Sequence, residues 1–151
     1  MSLKILVLID GSKWSQKAAL HAIAIAKKRG GKVILLSVLD RREARSMAFN
    51  LSMFTDRLEK VESFENEIWK EMKKGIRTIM TGLMELCQEE GVNCSFRIIE
   101  GLAKETILRE ANSGNYSLVV MGAYGRSGKT RIGSLLEEVV GLINVPTMIV
   151  R

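Results

Sequence analysis

Four glycines fall within twelve residues of this chain: Gly122, Gly125, Gly128 and Gly133. Arg126, Lys129 and Arg131 lie among them, and Ser134 follows directly. Glycine lets backbone amides turn toward a ligand and approach it closely. Ser134, with Glu137 three places on, spells a capping box ahead of an apolar stripe of Leu135, Leu136, Val139 and Val140. A helix expected to open there would present unpaired N–H groups and the positive end of its dipole, both suited to phosphate. Glycine-rich backbone, a helix start and basic side chains together describe a polyphosphate cradle. A solvated surface loop is the competing reading, and it leaves that convergence without a purpose.

A second strand end carries unusual residues, Ile9-Asp10-Gly11-Ser12. In an open parallel sheet, ligands bind outside the carboxyl ends of strands where the strand order reverses. Asp10 is therefore a candidate for the same site. It also suits a structural task, capping the first helix jointly with Ser12.

The elements that must position these groups are legible as patterns. Apolar runs at 4–9, 32–38, 94–99, 117–121 and 147–150 read as strands. The first, second and fourth are continuously apolar, as strands buried on both faces are. Between them lie helical patterns at 13–29, 56–90, 103–112 and 134–143, the first closed by Gly30-Gly31 after Lys27-Lys28-Arg29. In the longest, Leu58, Val61, Phe64, Ile68, Met72, Ile76, Ile79, Leu83 and Leu86 recur at steps of three and four, while Gly75 and Gly82 predict a bend. The alternation of strand and helix predicts an α/β fold, a five-stranded open parallel sheet with helices on both faces. No linker or repeat interrupts it, so one domain over 1–151 is expected. Residues 41–55, with Met47, Phe49, Leu51, Met53 and Phe54, fit either a short helix or a loop over the cleft.

Composition narrows the function class. The 151 residues are 46% hydrophobic with a net charge of +6, and no run is long enough for a signal peptide or a membrane span. The basic excess is dispersed, and aromatics at 5% do not interleave with it, so nucleic acid is not favoured. Cys87 and Cys94, with six residues between them, have neither metal-ligand nor redox-motif spacing and make no disulfide framework. A reducing, cytoplasmic setting is expected. His21 stands mid-helix without a nucleophile to serve, and no carboxylate dyad marks a strand end, so no catalytic residue and no metal ligand is assigned.

Residues 123–130, Ala-Tyr-Gly-Arg-Ser-Gly-Lys-Thr, fit a relaxed P-loop spelling, which would make the chain an NTPase dependent on Lys129. A true P-loop, however, opens its helix at the Gly-Lys-Thr and follows the first strand. Here Gly133 intervenes and the expected helix starts at Ser134.

Along nearly its whole length the chain resembles the universal stress protein family. The resemblance rests on Lys4–Ser12, Val33–Val38, Glu100-Gly101, Met121-Gly122-x-x-Gly125-Arg126-Ser127, Gly133-Ser134 and Asn144–Val150, in that order and spacing. It implies a Rossmann-like sheet of order 3-2-1-4-5, of the adenine nucleotide alpha-hydrolase-like type, which binds ATP in many members. By that resemblance Asp10, with Gly11 and Ser12, and Val38 border the adenine, and Met121 and Gly122 lie near the nucleoside. Gly125, Arg126, Gly133 and Ser134 hold the phosphates, Leu135 is counted with the nucleotide site, and magnesium or manganese is expected to accompany the ATP. It further implies a regulatory, stress-response homodimer paired through the edge strand 147–150, and not an enzyme. The loop departs from the family pattern. Only seven residues, Arg126–Ile132, separate Gly125 from Gly133, two fewer than usual, which is expected to draw the helix start toward the strand or to narrow the cradle. Members lacking the loop do not bind ATP, so an interaction protein of the same fold, using 41–55 as its partner surface, is the alternative.

Overall fold

The computed structural model describes residues 3–125 and 134–151, the side chains of Ser134 and Leu135 excepted. The chain runs β1 (Leu3–Leu8), α1 (Lys13–Arg29), β2 (Gly31–Leu39), α2 (Arg41–Phe54), α3 (Val61–Glu90), β3 (Asn93–Glu100), α4 (Ala103–Ala111), β4 (Leu118–Gly122), α5 (Ser134–Val139) and β5 (Thr147–Val150). Single 3-10 turns at Leu58–Lys60 and Val140–Leu142 precede α3 and follow α5. All strand pairs are parallel and the sheet order is β3-β2-β1-β4-β5. The order reverses between β1 and β4, so their carboxyl ends diverge around a crevice.

The continuous apolar runs have a simple physical cause. Ile5, Val7, Val33 and Leu35 point to one face, where Ala18, Ala22, Ile76 and Met80 of α1 and α3 cover them. Leu6, Leu8, Ile34 and Leu36 point to the other, under Ile107 and Ala111 of α4 and Val139 of α5. In the middle of β1, β2 and β4 each side chain is buried whichever way it points, so no polar alternation survives there.

Residues 41–54 form a helix whose buried positions are Ala44, Ala48 and Ser52, packed toward α3. The large apolar residues of that segment face outward: Phe54 is 90% exposed and Met53 59%. The following helix, α3, runs unbroken through Gly75 and Gly82.

The cysteines require a correction. Gly91 closes α3 in the left-handed conformation (φ 69°), and Val92 donates to the Cys87 carbonyl at 2.9 Å. The reversal brings Cys94 of β3 beneath Cys87, with Cα atoms 6.2 Å apart, and the two form a disulfide. Spacing in sequence hid the pair because the tight cap, and not the residue count, sets the distance. The cysteines therefore lend no support to a reducing compartment. No described helix is long and apolar enough to cross a membrane.

Candidate functional site

A cleft of about 860 Å³ opens at the carboxyl ends of β1, β2 and β4. Its first wall is the β1–α1 turn. The Asp10 carboxylate accepts the Ser12 N–H at 2.8 Å, and the Asp10 N–H donates to the Ser15 hydroxyl at 3.3 Å. Ser12 is the N-cap of α1: its hydroxyl accepts the Ser15 N–H at 3.1 Å, while the Ser15 hydroxyl donates to the Ser12 carbonyl at 2.9 Å. These bonds fix the turn and leave Asp10 half-buried on the cleft wall.

The second wall follows β2. Val38 lines it, and Asp40 caps α2 by accepting the Arg42 N–H at 2.9 Å. The same carboxylate takes the Arg42 guanidinium at 2.7 Å and lies 3.5 Å from the Ala103 N–H that opens α4. The hydrogen bond from the Arg42 side chain holds the Asp40 carboxyl below its usual range, burial notwithstanding, and Arg42 is correspondingly held more basic. Two helix N-termini and a guanidinium thus converge on one carboxylate beside the cleft.

The third wall is the end of β4, where Met121, Gly122, Tyr124 and Gly125 line the cleft. Tyr124 meets Trp14 edge to face at 5.1 Å between ring centroids, which ties this segment to α1. At the cleft margin, Ser37 is 1% exposed and its hydroxyl has no hydrogen-bond partner among the described residues.

Asp10, Val38, Met121, Gly122 and Gly125 therefore stand around one crevice. Gly11 does not; it faces a separate groove against α3. Ser12 is 6% exposed, and its hydroxyl is committed to the cap. Arg126 and Gly133, like Lys129, lie outside the described residues, as do the Ser134 and Leu135 side chains, although α5 does begin at Ser134. The segment that contains the Gly-Lys-Thr at 128–130 follows β4 and not the first strand, contrary to what a P-loop requires.

Sequence reading passed over Asp40, Arg42, Lys104 and Glu138, which also line the cleft. A signal existed for two of them. Asp40 follows β2 as Asp10 follows β1, and Lys104 lies in the first turn of the helix after β3, both at carboxyl strand ends. Among the described residues no group of three or more His, Cys, Asp or Glu side chains is arranged to hold a metal.

The model of the Universal stress protein family matches residues 1–151. Universal stress protein YxiE of Bacillus subtilis is 33% identical over 98% of this chain and 98% of its own. Universal stress protein MJ0577 of Methanocaldococcus jannaschii is 29% identical over 98% and 94% of the two chains. The solved structure of MJ0577 superposes with a TM-score of 0.77 at 27% identity, covering 99% of this chain and 96% of that one. A universal stress protein from Archaeoglobus fulgidus, solved in complex with dAMP, shares the fold (TM-score 0.65, 14% identity, 100% and 98% coverage).

Proposed function

This chain belongs to the universal stress protein family, and from that premise we propose that its cleft binds ATP with a divalent ion, as a homodimeric, non-enzymatic regulatory protein of the stress-response type. The observation that carries this reading is the convergence of Asp10, Val38, Met121, Gly122 and Gly125 on one crevice at the switch point of the sheet. Adenine presents hydrogen-bonding edges and an apolar face. Asp10 can accept from an amino or ribose hydroxyl group, Val38 and Met121 offer apolar surface, and the orphaned Ser37 hydroxyl favours a ligand with polar edges over a purely apolar one. The dAMP complex of the fold relative from Archaeoglobus fulgidus supports an adenine nucleotide as the ligand class. A magnesium or manganese ion would neutralise phosphate charge beside Asp10 and Glu138 and order the phosphate tail.

The dimer reading rests on β5. This edge strand pairs with β4 alone among the described strands, and Ile149 on it is 39% exposed. A short apolar edge is a liability unless covered, and a two-fold mate covers it with a self-complementary contact. Sedimentation equilibrium is expected to return a dimer, and Ile149→Lys a monomer.

The deciding experiment titrates purified protein with a fluorescent ATP analogue in magnesium, alongside native mass spectrometry of the protein as isolated. Saturable binding, displaced by ATP and weakened in Ser134→Glu at unchanged helicity, supports the reading. No binding at millimolar ATP and no co-purified nucleotide would sink it.

A further inference from the structure

On the far side of the β1–α1 turn lies an apolar groove of about 410 Å³. Gly11 forms one end, Met47 of α2 one wall, and Ile68, Met72 and Ile76 of α3 the floor. Three observations about it go together. The first is Gly75, which also lines the groove from the middle of α3. A helix-interior glycine costs about 1 kcal/mol relative to alanine, and a β-carbon there would meet nothing within 4 Å. The fold itself has no steric need of it; its effect is to leave the groove open.

The second is an apolar row leading out of the groove. Met47, Leu51 and Phe54, at i, i+4 and i+7 of α2, are 45%, 41% and 90% exposed. They mark one flank of the helix over about 10 Å. That length suits an elongated occupant with repeating anchors.

The third is charge. Glu67 and Glu71, one turn apart and both exposed, line the groove. Neither forms an ion pair with any described residue, although the chain as a whole carries +6. Glu65, two residues earlier, engages both Arg41 and Arg45.

We propose that the α2–α3 groove docks an amphipathic basic helix of a partner protein. Its apolar face lies on the groove and the Met47–Leu51–Phe54 row, and its Lys or Arg side chains meet Glu67 and Glu71. An amphipathic helix presents anchors at this spacing. The acidic side chains disfavour an anionic membrane surface, and the row extends past what a small apolar molecule would cover. The proposal stands independently of the nucleotide reading.

The test uses the full chain and a labelled synthetic helix of leucine and lysine at helical periodicity, with a leucine–glutamate counterpart. Because the protein is strongly cationic, general electrostatics favour the acidic peptide, so preference for the basic one must arise locally. Fluorescence anisotropy is expected to show saturable one-to-one binding of the lysine peptide alone. Gly75→Leu fills the groove while improving helix propensity, and is expected to weaken binding by at least about tenfold, a change of roughly 1.4 kcal/mol. Glu67→Gln with Glu71→Gln is expected to weaken it by several-fold and flatten its salt dependence. Binding that survives both changes overturns the proposal. So does equal binding of the two peptides, or no binding of either. If sedimentation shows a self-association that Gly75→Leu abolishes, the groove belongs to a second copy of this chain and the proposal falls.

Discussion

Gly122 packs against Trp14 so closely that a β-carbon on Gly122 would lie 2.8 Å from both the Cβ and the carbonyl carbon of Trp14. The end of β4 and the first turn of α1 touch through that missing side chain. Backbone cannot yield as a flexible side chain can. Gly122→Ala is therefore expected to destabilise the protein by about 1–3 kcal/mol through overpacking, lowering Tm by about 2–12 °C with no nucleotide present. A thermal melt in nucleotide-free buffer checks it, and an unchanged Tm would show that α1 shifts freely. Loss of nucleotide binding in a Gly122 variant consequently reports on packing as much as on the ligand, which is why Ser134 is the better probe.

Asp40 makes the fold sensitive to acid. The Arg42 side chain, and then the backbone N–H groups of Arg42 and Ala103, hold its carboxyl below the usual value, so the folded state favours the charged form. Stability from such a group is fully present above the unfolded pKa of about 4. It is lost as pH falls through the lower folded value. Asp40→Asn keeps a capping acceptor but removes the charge. At pH 7 it is expected to cost less than about 1 kcal/mol, since the Arg42 side chain is largely exposed, and Tm should fall less steeply than in wild type between about pH 5 and 3. A residual acid limb remains from Glu65, lowered by Arg41 and Arg45. Glu110 adds to it: burial raises its pKa, but hydrogen bonds from Tyr116 and Arg97 outweigh that effect.

The parallel sheet was readable because apolar strand runs and helical periodicity reinforce each other over most of the chain, while its order came from the family resemblance. Residues 41–54 were not, and the reason is specific. Helical periodicity is sought among large apolar side chains, but α2 buries Ala44, Ala48 and Ser52 and leaves Phe49, Met53 and Phe54 outside. Its i, i+4, i+8 signal was written in small residues. At the site, Asp10 and the 121–125 segment were readable as oddities at strand ends. Asp40 carried the same strand-end signal and was passed over, but its contact with the N-terminus of α4, sixty-three residues further on, leaves no trace in the local sequence.

The Cys87–Cys94 bridge spans seven positions and joins the last turn of α3 to edge strand β3. Closing a loop this short is worth about 2–3 kcal/mol by chain entropy. Cys94→Ser is expected to lower Tm by about 4–12 °C without reductant. Added dithiothreitol should bring wild type down to the variant and leave the variant unmoved. Thiol titration of denatured wild type, with no reductant present, is expected to find no free thiol.

Gly75 and Gly82 offer a comparison within one helix. Both lie inside α3, and a β-carbon at either would meet nothing within 4 Å. Neither has a left-handed φ, so alanine fits without strain. Each Gly→Ala change is expected to stabilise by about 1 kcal/mol and raise Tm by about 2–4 °C. The two sites are about 10 Å apart along the helix, far enough that the double variant should show nearly the sum. Their consequences for docking differ. Gly75 lines the apolar groove and Gly82 does not, so Gly75→Ala should weaken the lysine-peptide complex while Gly82→Ala leaves it at the wild-type value. Equal effects of the two substitutions on binding would mean that helix rigidity, and not the open space at Gly75, governs the groove.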